Sequence, residues 1–216
     1  MNGQDQTAIR SSRQPDRSWR PAPVVLVFFV IACAVEMLLQ ASDFGLIGTT
    51  RWRSLAYQNG AFWVGLLDNW RPNYPTQPWL MFVTYQGLNA GFGHLAGNML
   101  FLWIFGDNME DKMGHIPFLI FYLACGVGAD LAQFATDSAS PVPTIGASGA
   151  IAGVMGGYLL LFPKAKVDIF IFFIIFFRIF PVPAWIMLGL WFALQIGNGV
   201  ISDVSGGGVA YWAHAG

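Results

Sequence analysis

Ser148 stands in Gly146-Ala147-Ser148-Gly149, at the head of an apolar run that continues to Phe162. A serine hydroxyl is a weak nucleophile until a base takes its proton. The chain has three histidines, His94, His115 and His214. His115 falls in a short polar loop on the cytoplasmic side, which leaves His94 and His214 as imidazole partners for Ser148. His94 and Asn98 are one helical turn apart, so they share a helix face and can aim an imidazole N–H and an amide N–H at one point. Two such donors, joined by the backbone N–H of Ser148, would hold the oxyanion of a tetrahedral intermediate. His214 is then the general base. The set reads as a Ser-His dyad with an oxyanion site, the chemistry of acyl transfer.

The elements that must bring these residues together are membrane helices. Hydrophobic residues make up 55% of the 216 and charged residues only 11%, against about 25% charged in ordinary soluble domains. The net charge of -1 offers no basic face for nucleic acid, so the lipid bilayer is the first partner. Cys33 and Cys125 are the only cysteines. They give no disulfide framework and no zinc cluster, and there is no His-Glu-x-x-His.

Residues 1–20 are polar and carry Arg10, Arg13, Arg17 and Arg20. The apolar run over 21–39 is long enough to span the hydrocarbon and reads as a retained anchor rather than a cleaved signal. Residues 43–91, with Trp52, Trp63, Trp70 and Trp79, read as a large interfacial loop with a short helix at 61–67. Apolar segments follow at 92–109, 116–136, 145–162 and 182–201, with a Phe- and Ile-rich stretch at 167–180 that reads as re-entrant. A last segment begins near 206. The expected organisation is a polar cytoplasmic segment, 1–20, and a membrane domain, 21–216.

Basic residues orient these segments. The four N-terminal arginines, Lys112, Lys164 and Lys166 fall on one side, against Arg51, Arg53 and Arg71 on the other. The positive-inside rule then places the N-terminus in the cytoplasm. Helices two, four and six all start at the outer face, and His94, Ser148 and His214 lie near those starts, about 5–12 Å below the outer boundary. Gly149, Gly153 and Gly157 recur every fourth residue, a small-residue ridge that admits a neighbouring helix. It is expected to bring helix six, and with it His214, to Ser148.

These motifs resemble the rhomboid family of intramembrane serine proteases: a G-x-S-G at helix four (Gly146 to Gly149), an H-x-x-x-N on helix two (His94 to Asn98) and an A-H on helix six (Ala213-His214). Glu110 and Gly114 at the inner end of helix two also match. The resemblance implies an all-α, polytopic six-helix bundle, here with helix six truncated after Gly216. It implies hydrolysis of a peptide bond in or beside the membrane helix of a single-pass or polytopic substrate protein, without a cofactor, and a bacterial inner membrane as the location.

This sequence departs from the family pattern at two further points. Where some members carry an aromatic residue four positions after the serine, this chain has Ala152, which passes support of the His214 ring to Tyr158 or Trp212. Where members often have Trp-Arg ahead of helix two, Trp79 is followed by Leu80. Two other readings compete: a non-catalytic rhomboid-like protein that binds membrane helices, and a small transporter using Glu36 and Asp130 as a charge relay. Helix five, about 182–200, and the loop 139–144 are candidate gates over Ser148.

Overall fold

The computed structural model describes residues 22–173, 176–201 and His214. The expected N-terminal segment 1–20, and helix six apart from His214, lie outside the described residues. The chain is an all-α, polytopic membrane protein. Among the described residues, three helices are long and apolar enough to cross a bilayer: α1 (Pro23–Asp43), α6 (His115–Thr136) and α8 (Ala184–Ile201).

Between α1 and the helix bearing His94 lie α2 (Trp52–Gly60) and α3 (Gln77–Thr84). The helix expected at 61–67 is only a 3-10 turn, Val64–Leu67, because residues 61 and 62 are taken up elsewhere. Phe62 pairs with Thr144 in an isolated antiparallel bridge, N–H to carbonyl at 3.0 and 2.9 Å. The first loop is thereby stapled to the loop ahead of Ser148.

The second membrane segment runs through α4 (Phe92–Phe101), a π-helical turn (Leu102–Gly106) and α5 (Asp107–Met113). It therefore continues past residue 109, the end expected from hydropathy. The π turn packs on α1: a Cβ on Gly106 would lie 3.0 Å from Val25 and 2.9 Å from Leu102. Gly114, at φ +87°, breaks the helix before α6 in a conformation that favours glycine.

Glu110 explains the inner-end motif. Its carboxylate is buried and accepts the N–H groups of Val24 and Val25 at 3.0 and 2.9 Å, two donors that the first turn of α1 cannot satisfy within the helix. It also meets His115 Nδ1 at 2.6 Å. His115 is the first residue of α6 rather than a loop residue.

Helix α7 (Ser148–Leu161) packs chiefly on α6. A Cβ on Gly153 would run into the Cys125 side chain, and one on Gly157 would lie 2.8 Å from Met109 and 3.0 Å from Phe121. Two glycines of the ridge thus serve the second and third membrane segments. The shared core includes Val25, Leu102, Phe105, Phe118, Tyr122, Val154 and Met155.

The stretch read as re-entrant is a two-stranded antiparallel ribbon, β1 (Lys166–Phe173) and β2 (Phe176–Pro183), in register from Lys166↔Pro183 to Phe173↔Phe176. Val, Ile and Phe suit a pleated strand, and Pro181 and Pro183 deny the second half to a helix. The ribbon delivers the chain to α8, whose buried residues are Ala184 and Leu188 at its start.

Candidate active site

Ser148 is the first residue of α7. The N–H groups of a helix's first turn have no intrahelical acceptor, so the serine hydroxyl and a set of free donors face the same end. His214 Nε2 lies 2.6 Å from Ser148 Oγ. The two residues are 66 positions apart in sequence, so only the tertiary fold joins them.

The other edge of the His214 ring meets α8. Nδ1 is 3.0 Å from Gln195 Oε1, and the ring lies against Trp191 with centroids 5.7 Å apart and planes inclined by 31°. An amide oxygen at Nδ1 selects the tautomer with its proton there, which leaves the Nε2 lone pair facing the serine hydroxyl. Of the supports expected from the sequence, Tyr158 packs on Phe105 and Phe162, and Trp212 lies outside the described residues. Trp191 and Gln195 were missed from sequence; the available signal was an aromatic and an amide one turn apart on an apolar helix.

His94 is the third residue of α4, and Asn98 is buried one turn further on. His94 Nδ1 accepts the Ala90 N–H at 3.1 Å, so its proton sits on Nε2. A Cβ built on Gly146 would lie 2.8 Å from His94 Nε2 and 3.3 Å from Asn98 Nδ2. Both donors therefore converge two residues before Ser148. Gly146 sits at φ +109°, and its N–H donates to the Tyr85 carbonyl at 2.9 Å. Glycine is required there twice, by backbone conformation and by space. Gly149 is buried in the first turn of α7.

Two further buried acids, Glu36 and Asp130, are those of the charge-relay reading. Glu36 is fully buried on α1 and paired with Arg53 at 2.9 Å. The Glu36 carboxylate, foremost, pushes the Arg53 guanidinium still further above its ordinary pKa. Asp130 is fully buried on α6, and its carboxylate oxygens have no hydrogen-bond partner among the described residues. No cluster of three or more His, Cys, Asp or Glu suited to a metal occurs among the described residues.

With this geometry in view, the sequence matches a rhomboid domain over residues 75–216, which includes every residue of the cluster. It is 42% identical over 81 residues to the rhomboid protease GluP of Bacillus subtilis, covering 38% of this chain and 15% of that protein. It is 38% identical over 82 residues to the chloroplastic rhomboid-like protein 11 of Arabidopsis thaliana, covering 38% of this chain and 28% of that one. It is 35% identical over 101 residues to the mitochondrial rhomboid protein 1 of Saccharomyces cerevisiae, covering 44% and 27%. In each case the match spans less than a third of the relative's own length.

Proposed function

The chain belongs to the rhomboid family, and from that premise we propose that it is an intramembrane serine endopeptidase. Ser148 attacks a peptide carbonyl in or beside a substrate's membrane helix, and His214 takes the hydroxyl proton on Nε2. The oxyanion is held by His94 Nε2–H, the free amide N–H of Asn98 and the backbone N–H of Ser148. His214 then gives its proton to the leaving amine, and a water entering from the outer face repeats the sequence in reverse to release the acyl group. Gln195 and Trp191 hold the imidazole throughout. Only protein groups and water take part.

One observation carries this reading: the 2.6 Å approach of His214 Nε2 to Ser148 Oγ, with the other ring nitrogen committed to Gln195. A helix-packing serine has no need of an oriented base. In the same reading residues 21–216 form the membrane domain, with 1–20 on the cytoplasmic side and the active site toward the outer face. The relatives come from bacterial, chloroplast and mitochondrial settings. The transporter reading loses support because Glu36 is committed to an ion pair with Arg53.

The deciding experiment reconstitutes the chain in liposomes with a model membrane-helix substrate, beside Ser148→Ala. Cleavage by the native chain and none by the variant is the expected result. Neither cleavage nor labelling of Ser148 by a serine-directed phosphonate would leave the non-catalytic, helix-binding reading in its place.

A further inference from the structure

The peptide unit joining Asn89 to Ala90 is held at both ends. Its N–H, on Ala90, donates to His94 Nδ1 at 3.1 Å. Its carbonyl, on Asn89, accepts from Arg53 Nη1 at 2.9 Å and from the Tyr57 hydroxyl at 2.7 Å. The Asn89 side chain, fully buried, reaches the other donor of the site: Oδ1 accepts from Asn98 Nδ2 at 2.9 Å. One residue therefore holds both His94 and Asn98.

Asn89 is itself clamped from α1. Arg53 makes two hydrogen bonds to Glu36, at 2.9 and 3.1 Å, and one to Asp43 at 2.6 Å. Glu36 is further fixed by Gln40 Nε2 at 2.9 Å. A guanidinium presents five donors in a rigid fork and can bridge two carboxylates and a carbonyl at once, which an ammonium cannot do with fixed geometry. Donation into the Asn89 carbonyl also strengthens the opposite N–H of the same peptide as a donor. That N–H keeps the His94 proton on Nε2, the nitrogen facing Gly146.

On the protease reading above, we infer that Glu36 and Arg53 act through Asn89 as positioning residues of the oxyanion site. They fix the His94 tautomer and the Asn98 amide from the first helix and the first loop. Neither touches substrate. The role is distinct from holding the fold together, because its target is the orientation of two N–H donors that matter only when negative charge develops on the carbonyl oxygen.

The test measures kcat and KM for the full chain in liposomes, with kcat expressed per Ser148 titrated to completion by a phosphonate. The variants are Asn89→Leu, Tyr57→Phe, and Glu36→Gln together with Arg53→Gln, the last pair changed jointly because removing one member strands a buried charge. Asn89→Leu and the joint change are expected to lower kcat about tenfold or more with KM within about twofold, and Tyr57→Phe to lower it about threefold. In a chain already carrying Asn98→Ala, Asn89→Leu is expected to cost less than about twofold more, since its target is gone.

A purely structural role gives fewer titratable sites at unchanged kcat. That result, or an undiminished cost of Asn89→Leu in the Asn98→Ala chain, overturns the inference. If the joint variant does not fold, the Asn89→Leu cycle and Tyr57→Phe decide alone. Cleavage that survives Ser148→Ala overturns the protease reading instead, whatever the Asn89 cycle shows.

Discussion

Ser148 and His214 meet at 2.6 Å, but a neutral imidazole is a base toward the serine only in the tautomer that leaves Nε2 unprotonated. Gln195 supplies that selection. We predict that Gln195→Leu lowers kcat per active site by about 10- to 100-fold, while Gln195→Glu, which keeps the acceptor, stays within about fivefold of native. Steady-state kinetics on a helix substrate check this. Gly146 gives a second residue-scale prediction. Its positive φ and the 2.8 Å separation of a built Cβ from His94 mean that Gly146→Ala must push the imidazole away from the oxyanion position. The expected cost is about 100-fold or more in kcat, with phosphonate labelling slowed in parallel. A Gly146→Ala enzyme within about threefold of native would show that His94 and Asn98 do not serve the oxyanion.

At the scale of elements, α6 and α7 touch through a glycine against a cysteine. Gly153→Ala should destabilise the folded protein by about 1–3 kcal/mol through overpacking, read as a lowered thermal unfolding midpoint in detergent. Cys125→Ala should not rescue it, since the Cys125 Cβ itself stands 2.5 Å from the built position, whereas Cys125→Gly should. Glu110 joins a different pair of elements. With its carboxylate gone, the Val24 and Val25 N–H groups lose their acceptors, and Glu110→Ala should cost about 2–4 kcal/mol in the same measurement. A Glu110→Ala protein that melts with the native one would show that water replaces the carboxylate at the start of α1.

For the whole molecule, the asymmetry of α8 matters most. Its buried residues, Ala184 and Leu188, lie at its start, while the support it gives His214 comes from Trp191 and Gln195 further along. We predict that α8, whose fully buried residues lie only at its start, swings aside to open a lateral path to Ser148 and in doing so loosens His214. A thiol tether holding α8 to α4 near Phe101, which faces Trp191 with ring centroids 6.4 Å apart, should therefore reduce cleavage of a helix substrate about tenfold or more. Labelling of Ser148 by a small phosphonate should stay within about threefold. Equal inhibition of both reactions would remove α8 as the gate. The loop 139–144 is the weaker gating candidate, because Thr144 is bridged to Phe62.

Hydropathy in the sequence determined that this is a membrane chain, and motif spacing singled out Ser148, His94, Asn98 and His214 as candidates for one chemistry. These are local properties: apolar runs of fixed length and residues one turn apart. Everything that depends on which side chain lies across a gap was decided by the tertiary structure. Helix periodicity presents Gly153 on a face, but only packing assigns that face to Cys125 of α6. Ala152 signalled that the His214 support had moved, and only the fold supplies Trp191 and Gln195. The ribbon at Lys166–Pro183 escaped the hydropathy reading because Phe and Ile runs suit strand and helix alike until a pairing register exists. Glu36, Arg53 and Asn89 are scattered over the first helix and first loop, and no spacing rule connects them. Their common target exists only once α1, α2 and α4 converge.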